Sequence, residues 1–441
     1  MSTLIQNGTI LTGDGKTVIE NGSVLVEDGI IREILQQQYP TYSRADTVID
    51  AQGGYVIPGL LNHHSHGITT GPFCPLGAKP LTQARALYNL DRHLVNGVTG
   101  LLNLDGLATL SEVRRMNKLH PIKIETATQH TEKNILHAQI GDGEGLTSAH
   151  TVPDIAEAIR FGVPAIGEVL AMGPMYNIKR LEAAIGTQVD IQYMPAVKQA
   201  VLGERMDPAL YDPQALAGAL AASGLDRYVS VDEMRDLIIR LIYDPWKAAY
   251  DVIQESVELA WKYDVPVIAH NCPETADMLL EVSPKLGNKL IASHSNFCYE
   301  PEEAVRVARR LKADGAVIDI ATGDLFGPGK MASLDTYVAL LEEDLVDLIS
   351  TDYIAGHWDP ILKLLELFID KGLLTVEKAV ALATGNVKKA IPYFANNSGF
   401  LEVNRNADIV VVRKDAISDV RYVLIDGVVR VAEGRRVYQQ I

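Results

Sequence analysis

Three histidines lie within four positions in the stretch GLLNHHSHGI, residues 59–68, which follows the apolar run YVIP. Side chains of a β-strand alternate between its two faces, so His64 and His66 would share one face and His63 would lie on the other. Two imidazoles placed two residues apart on one strand can chelate a zinc, manganese, iron or cobalt ion. We therefore predict that His64 and His66 bind a metal ion and that His63 either packs against its neighbours or supports the site without binding the metal. Asn62 shares the ligand face, where we expect it to orient a neighbour by hydrogen bonding.

Polar side chains also close four later apolar runs of the sequence. Glu168 follows VPAIG, His270 ends VPVIAH, His294 ends KLIASH and Asp352 ends LVDLISTD. A polar residue after any one strand needs no explanation. The order His, His, Glu, His, His and Asp at the ends of five different runs is poorly explained by strand termination alone. Parallel strands that close a barrel bring such residues together at their carboxyl ends, so the pattern predicts one metal-binding site.

The middle of the chain, from about residue 55 to 395, alternates short apolar runs with helix-like segments such as EEAVRVARRLKADG. Eight runs have strand character: YVIPGLLNH, VTGLLNL, IKIETATQ, VPAIGEV, VPVIAHN, KLIASHS, GAVIDIA and LVDLIST. Eight strands alternating with helices predict an α/β fold with a (β/α)8 barrel. A doubly wound open sheet is the alternative, and it is weakened because no Gly-rich phosphate loop follows a strand.

Both ends of the chain have the pattern of short β-hairpins. Residues 2–50 alternate β-branched residues with Asn-Gly and Asp-Gly breaks, and the C-terminal stretch does the same. These dipeptides between apolar runs are typical of two-residue hairpin turns. Neither end has enough strand to close a core by itself. We therefore predict one small β domain built from residues 1–54 and 396–441, with the barrel domain at 55–395.

One connection is much longer than a βα unit needs. The run VPAIGEV ends at Val169, and the run VPVIAHN begins at Val265. Helix candidates fill the gap, near residues 175–186, 213–223, 230–242 and 246–262. We predict a helical insertion at about 171–262, which serves either as a lid over the site or as a packing and oligomer surface.

The composition describes an acidic globular protein. The chain has 441 residues, of which 47% are hydrophobic and 22% charged, and its formal net charge is −16. This charge disfavours binding to nucleic acid or to an anionic membrane. Three cysteines without paired spacing argue against a disulfide framework, and the sequence shows neither a secretory signal nor a membrane-spanning apolar run. We therefore expect a soluble cytoplasmic protein.

Taken together, these motifs resemble the amidohydrolase superfamily of metal-dependent hydrolases, and the resemblance covers essentially the whole chain. NHHSH matches the His-x-His after the family's first strand. The elements after the fourth, fifth, sixth and eighth strands are matched by GE at 167–168, AH at 269–270, SH at 293–294 and STD at 350–352. The terminal hairpins match the family's β domain. The resemblance implies a TIM barrel with a small composite β-sandwich formed by both chain ends.

The resemblance also implies two divalent metal ions per subunit. The family's ligands map onto six residues in three groups: His64, His66 and Asp352 on one ion, His270 and His294 on the other, and Glu168, together with a hydroxide, between them. In many members the bridge is a carboxylated lysine. Glu168 resembles the pattern of enamidase-like members, and Lys198 is its only nearby competitor. Zinc is the expected metal, and iron or manganese would accept the same ligands.

A site of this kind implies hydrolysis of a carbon–nitrogen bond other than a peptide bond, in a cyclic amide, an N-acyl compound or an enamide. The bridging hydroxide would attack, and Asp352 would accept its proton and deliver it to the leaving nitrogen. The alternative is a deaminase of a heterocyclic amine or nucleobase on the same fold. A non-catalytic scaffold is disfavoured because every ligand position is filled. We expect a small-molecule substrate, no nucleic acid or membrane partner, and a homo-oligomer.

Further polar residues near the predicted strand ends are candidates for substrate contacts. They are Gln129 and His130 after the third strand, and Tyr353, His357 and Trp358 after the eighth. Asp105 follows the second strand in the same way. No arginine lies at an obvious strand end, which favours a neutral or cyclic substrate. The loops that set specificity in a barrel do not reveal the substrate itself.

Overall fold

The computed structural model describes residues 2–36, 45–171, 174–203, 206–327, 331–352 and 359–438. The first strands are β1 (Ser2–Leu11), β2 (Val18–Glu27), β3 (Ile30–Leu35), β4 (Thr47–Asp50) and β5 (Tyr55–Pro58). The middle of the chain has β6 (Leu60–Ser65), β7 (Val98–Asn103), β8 (Lys123–Thr126), β9 (Ile166–Val169), β10 (Val267–His270), β11 (Leu290–Ser293), β12 (Val317–Ala321) and β13 (Leu348–Ser350). The last strands are β14 (Ile409–Val412), β15 (Val420–Ile425), β16 (Val428–Ala432) and β17 (Arg435–Arg436).

The helices occupy the middle of the chain. They are α1 (Gln83–Val95), α2 (Leu110–Leu119), α3 (Glu132–Gly141), α4 (Ile155–Arg160), α5 (Pro174–Ile185), α6 (Met194–Leu202), α7 (Pro213–Ser223), α8 (Val231–Ile238), α9 (Asp244–Tyr263), α10 (Ala276–Leu286), α11 (Pro301–Ala313), α12 (Leu334–Glu342), α13 (Ile361–Asp370), α14 (Val376–Leu382) and α15 (Gly385–Ala390). In the part of the chain that the structure describes, none of them is both long and apolar enough to cross a membrane.

Both ends of the chain contribute to one nine-stranded sheet, in the order β17-β16-β15-β14-β5-β1-β2-β3, with β4 paired to β1. Two hairpins of this sheet turn at Asp28-Gly29 and at Asp426-Gly427, and all four residues have positive φ. A type I′ turn requires such angles at both central positions, and the Asp-Gly pair adopts them readily. Strand β5 pairs with β14 in this sheet, so the sheet extends beyond residue 54, the predicted domain limit.

Two parallel sheets fill the middle of the chain, β6-β7-β8 and β9-β10-β11-β12-β13. A parallel bridge between Thr128 and Ile166 joins them, and the amide of Asp352 donates to the carbonyl of His64 at 3.1 Å, which joins the last strand to the first. Each of the eight strand segments contributes one apolar side chain to a shared cluster: Leu61, Leu102, Ala127, Ala165, Ile268, Ile291, Val317 and Leu348. The prediction of an α/β fold with parallel strands is confirmed.

The helices pack on these sheets through amphipathic faces. Helix α11 begins at Pro301, where the missing amide proton removes no helical hydrogen bond. Its buried side chains recur at intervals of one helical turn and belong to the main apolar core: Ala304, Val307, Ala308 and Leu311. Helix α2 begins with a reciprocal capping box between Thr109 and Glu112. The helices thus place the ends of the strands at fixed positions.

The long connection between β9 and β10 is helical and has an apolar core of its own. That core is made of buried side chains between Leu181 and Leu241, and it is separate from the main core. Helix α9, in contrast, packs into the main core through Ala249, Val252 and Ile253. The self-contained part of the predicted insertion therefore ends before α9.

Truncation of a core side chain in this insertion is expected to loosen the insertion alone. Leu216 is fully buried in the separate core, so Leu216→Ala should lower the opening free energy of residues 181–241 by about 2–5 kcal/mol. Hydrogen exchange read by mass spectrometry would show faster exchange there and unchanged exchange in β10–β13. Leu210→Ala, at a half-exposed position of the same insertion, is the control. Equal loosening of β10–β13 would contradict the separation of the two cores.

Candidate metal centre

Four polar atoms face one another at the carboxyl ends of the parallel strands. The Nε2 atoms of His64 and His66 are 3.2 Å apart, and each lies 3.5 Å from Oε2 of Glu168 and 3.4 Å from Oδ1 of Asp352. Four ligands bound at about 2.1 Å to a tetrahedral zinc ion stand about 3.4 Å apart. The four atoms therefore have the spacing that one divalent cation requires.

The other oxygen of Glu168 faces a second pair of imidazoles. Its Oε1 lies 3.0 Å from Nδ1 of His270 and 3.0 Å from Nε2 of His294. Glu168 thus presents one oxygen to each histidine pair, which suits a carboxylate that bridges two ions. The side chain of His270 is 22% exposed, whereas those of Glu168 and His294 are 4% and 1% exposed. The centre therefore opens to solvent on the side of His270.

The chemistry of these donors fits a pair of divalent cations. Oδ1 of Asp352 is buried and makes no hydrogen bond within the described residues. A buried carboxylate oxygen without a partner is costly, because it has lost its hydration and gained nothing in return. Imidazole and carboxylate are the ligands that zinc, iron and manganese share. A cation between Asp352, His64 and His66 would satisfy the unpaired oxygen.

Both carboxylates of the centre are held in the ionised form. Burial acts to raise the pKa of Glu168, but the nearby His64 and hydrogen bonds with His270 and His294 outweigh burial and hold that pKa well below its usual value. Burial acts in the same direction on Asp352, where His64 and its neighbours outweigh it and lower the pKa to about 2. The ionised carboxylate is the form that binds a metal ion.

Two residues of the centre have a left-handed backbone. His294 follows β11 with φ of 38°, and Asp352 lies just after β13 with φ of 41°. Residues other than glycine rarely adopt such angles, and each costs roughly 1–3 kcal/mol. The amide of Asp352 donates to the carbonyl of His64 at 3.1 Å, and the amide of His294 donates to Oδ2 of Asp319 at 3.0 Å. These hydrogen bonds hold the strained backbone that turns both side chains into the centre.

Polar side chains around the centre fix the orientation of the first two imidazoles. Nδ1 of His66 lies 3.1 Å from Oδ1 of Asp105, a carboxylate that also accepts the amide hydrogens of Gly67 and Cys74. Nδ1 of His64 lies 3.1 Å from Oγ of Ser293. Because Nδ1 of each of these two imidazoles contacts a side chain outside the centre, Nε2 of each ring points into the centre. Outer partners of this kind commonly orient histidine ligands.

Asn62 joins the first strand to the end of the last one. Its Nδ2 donates to Oγ1 of Thr351 at 2.7 Å, and its Oδ1 accepts the amide hydrogen of Thr351 at 3.1 Å. Thr351 directly precedes Asp352 in the chain. Asn62 thus orients a neighbour by hydrogen bonding, as the sequence predicts.

Strict alternation does not hold through β6. The register of β6 on β7 shifts between Leu60 and Leu61 and again between Asn62 and Ser65. Leu61 belongs to the apolar cluster that the eight strand segments share. His63 contacts Asp319 of β12, a strand that pairs with β11 and β13 and not with β6. Nε2 of His63 is 3.1 Å from Oδ1 of Asp319, and both side chains are fully buried. The prediction that His63 faces away from the inner side was therefore wrong, because the bulge lets both His63 and His64 turn inward.

Of the five predicted substrate contacts, two lie within the described residues. His130 lies with Thr128 on the wall of a different cavity of about 230 Å³, which Arg114 and Asp154 also line. Gln129 is buried, and its backbone N–H donates to the carbonyl oxygen of Gly106. The remaining three predicted contacts fall outside the described residues: Tyr353, His357 and Trp358.

Asp319 and Ser293 contact the centre but were not singled out in the sequence. Asp319 is the only charged residue in the apolar run GAVIDIA, and a charge within a buried strand could have identified it. Ser293 precedes His294 and carries no comparable signal. Asp105 was predicted to face the substrate, whereas in the structure it contacts His66.

Sequence similarity to known families and to curated proteins is limited to a short segment. No protein-family model matches the chain. The 5-methylthioadenosine/S-adenosylhomocysteine deaminase of Pyrococcus furiosus is 44% identical over 63 residues, which is 14% of this chain and 14% of that protein. The chain therefore matches only a small part of the length of this curated relative.

Solved structures match over nearly the whole chain. The β-aspartyl dipeptidase of Fervidobacterium islandicum aligns with a TM-score of 0.57 and 13% identity, covering 100% of this chain and 98% of that one. Enamidase, a member of the amidohydrolase superfamily, aligns with a TM-score of 0.56 and 18% identity over 99% and 97%. The 5-methylcytosine deaminase of Klebsiella pneumoniae aligns with a TM-score of 0.55 and 16% identity over 99% of both chains. At these identities the likeness shows the fold, and at that level it confirms the resemblance predicted from the sequence.

Proposed function

We propose that this chain, which has the fold of the amidohydrolase superfamily, is a metal-dependent hydrolase that cleaves a carbon–nitrogen bond other than a peptide bond. The observation that carries the proposal is the position of Glu168, whose two oxygens face two separate imidazole pairs. Enzymes that act on such bonds are among the solved structures with this fold. The proposed substrates are small molecules with a cyclic amide, N-acyl or enamide group.

We also propose the finer architecture that such a site needs, in which β6–β13 close into a (β/α)8 barrel. The hydrogen bonds that join β8 to β9 and β13 to β6, and the apolar cluster shared by all eight segments, support this closure. A composite β-sandwich of both chain ends is supported by a second apolar cluster within the nine-stranded sheet: Ile5, Ile10, Val24, Val26, Ile31, Val56, Ile409, Val411 and Leu424. The helical insertion between β9 and β10 would be a lid or an oligomer surface.

The proposed ligands divide into two groups around Glu168. His64, His66 and Asp352 would hold one cation, His270 and His294 would hold the other, and Glu168 would give one oxygen to each. When bound, two divalent cations make hydroxide available near neutral pH and polarise a substrate carbonyl. Zinc is the expected metal, with iron or manganese as alternatives.

Asp352 is the proposed proton carrier. Its carboxylate is ionised, since its pKa is held at about 2, and its Oδ1 points into the centre without a hydrogen-bond partner in the described chain. A carboxylate in this position accepts the proton of the attacking water and then delivers it to the leaving nitrogen. The hydrogen bonds between β6 and the end of β13 keep Asp352 in this position.

Metal analysis of the purified protein tests the proposal most directly. Elemental mass spectrometry should find about two divalent cations per chain. A screen of cyclic amides, N-acyl compounds and aminated heterocycles should then identify a substrate whose turnover stops with a chelator and returns with zinc. A metal-free protein that neither binds zinc nor gains activity with it would contradict the proposal.

A deaminase of a heterocyclic amine or nucleobase is the second candidate. It is favoured by the 63-residue match to a deaminase from Pyrococcus furiosus and by the fold shared with a 5-methylcytosine deaminase. Release of ammonia from an aminated heterocycle, with no hydrolysis of amides in the same screen, would support this candidate. One cation per chain, unchanged in Glu168→Ala, would also favour it over a centre of two cations.

Loss of the carboxylate behind His66 is expected to weaken metal binding. Asp105→Asn replaces the charged partner of Nδ1, so zinc affinity should fall by about 10–100-fold, as is typical when an outer partner of a histidine ligand is removed. Competition with a fluorescent zinc chelator measures this affinity. Asp91→Asn is the matched control, because Asp91 pairs with His120 at the same distance of 3.1 Å but outside the centre. Wild-type zinc affinity in Asp105→Asn would show that Asp105 does not orient a ligand.

A homo-oligomer and a cytoplasmic location remain predictions from the sequence. Size-exclusion chromatography with light scattering would test the first. The acidic surface, with a net charge of −16, supports the absence of a nucleic acid partner.

A further inference from the structure

Asp319 contacts three other strand segments beneath the candidate metal centre. Its Oδ2 accepts hydrogen bonds at 3.0 Å from the amide of His294 and at 3.0 Å from Oγ of Ser350. Its Oδ1 lies 3.1 Å from Nε2 of His63, and the side chains of His63 and Asp319 are both 0% exposed. The carboxylate therefore connects β12 to the segments that carry His64, His294 and the residues before Asp352.

We propose that Asp319, paired with His63, is a positioning residue that sets the affinity of the centre for its second cation, the one held by His270 and His294. This inference rests on the proposed function. The contacts of Asp319 are with His63, Ser350 and the amide of His294, so it acts on the centre through the backbone of His294.

The backbone of His294 explains why such a residue is needed. With φ of 38°, His294 is in a conformation that residues other than glycine rarely adopt and that persists only where its surroundings hold it. The hydrogen bond from the amide of His294 to Oδ2 of Asp319 stabilises the backbone in this conformation. Phe297 also stacks on the imidazole of His294 with 5.0 Å between ring centroids, which limits the rotation of the ring. Together these contacts direct Nε2 of His294 toward Oε1 of Glu168.

The charge of Asp319 is a second reason to expect that this residue affects the binding of cations. Within the described chain, Oδ1 of Asp319 and Nε2 of His63 make no other hydrogen bond, so these two atoms have only each other as partners. A carboxylate in a buried layer is costly unless positive charge lies close to it. Divalent cations held by the proposed ligands would provide positive charge near Asp319, and its carboxylate would in turn favour their binding.

Zinc titration of three variants tests this inference. Asp319→Ala removes both the hydrogen bonds and the charge, whereas Asp319→Asn keeps an oxygen for the amide of His294 but loses the charge and presents an NH2 group to His63. Asp408→Asn is the matched control, since Asp408 is equally buried but pairs with Lys123 away from the centre. Equilibrium dialysis against buffered zinc counts the cations bound per chain at each free concentration. Cobalt substitution adds an absorption spectrum that reports the coordination of each site.

The expected change in affinity differs between the two cations. Asp319→Ala should bind the first cation as the wild type does and the second about 10–100-fold more weakly, and Asp319→Asn should lie between the wild type and Asp319→Ala. Unchanged affinity for both cations in folded Asp319→Ala would overturn the inference. If that variant does not fold, unchanged affinity in Asp319→Asn would overturn it. An equal loss in Asp408→Asn would overturn it too, because the effect would then be one of general stability. A wild-type protein that binds fewer than two cations would contradict the proposed function instead.

Discussion

Replacement of Asp352 by asparagine is expected to lower kcat by about a thousandfold while the chain keeps its fold. The amide cannot accept the proton of the attacking water or return it to the leaving nitrogen, and proton transfer by a positioned side chain contributes about 10²–10⁴-fold to catalysis. Asparagine is the suitable substitution, because it tolerates the left-handed backbone that Asp352 adopts, with φ of 41°. The measurement is kcat and KM on the substrate found in the screen, together with the number of bound cations.

The control for Asp352 has the same residue type and the same backbone. Asp344 has φ of 51° and lies on the surface, so Asp344→Asn should leave both activity and metal content unchanged. Full activity of Asp352→Asn with both cations bound would rule out the proton-carrying role. A loss of cations together with activity would instead show that Asp352 acts mainly as a ligand.

Replacement of Glu168 by glutamine is expected to remove at least one cation and to reduce turnover by at least about a thousandfold. Glutamine keeps the size of the side chain but offers a neutral oxygen to one histidine pair and an NH2 group to the other. Since the NH2 group cannot bind a cation, one of the two groups of ligands loses its shared member. Elemental mass spectrometry of the dialysed variant gives the number of cations, and the substrate assay gives the loss of activity.

A second glutamate, which is partly buried, provides the control for this change. Glu125 lies in β8 away from the centre, its Oε1 accepts the amide hydrogen of Ala395 at 2.9 Å, and burial raises its pKa to about 7. Glu125→Gln should retain the wild-type number of cations and the wild-type activity. Two cations and normal turnover in Glu168→Gln would contradict the bridging role.

The sequence predicts much of the candidate site because strand ends are easy to recognise. His64, His66, Glu168, His270, His294 and Asp352 each follow an apolar run, and the structure brings their donor atoms within 3.0–3.5 Å of a neighbour in the group. Period-two alternation and the convergence of parallel strands are local rules, so a single sequence contains them. The metal-binding roles of these residues remain proposals.

The features that were missed depend on geometry that no local rule describes. A bulge after Asn62 changes which side His63 faces, and nothing in NHHSH signals an extra residue in the pairing of β6 with β7. His130 follows a strand as the predicted ligands do, yet it lies on the wall of another cavity. The side chain of a residue at a strand end can point to either face of the sheet, and its position after an apolar run does not show which. Strand β5 pairs with β14, although hundreds of residues separate them in sequence. Such contacts form between distant segments and leave no pattern in either one.

The pairing of β5 with β14 has a consequence for the order in which the protein is made and folds. Strands β1–β5 leave the ribosome early, but β5 has an open edge until β14 is synthesised, because Val56 and Ile57 pair with Val411 and Val410. An unpaired apolar edge of this kind can join other chains. The barrel segments therefore emerge from the ribosome while the first sheet is still incomplete, and a chain that stops before residue 409 retains that open edge. Completion of the C-terminal strands is thus the step that covers the open edge of β5.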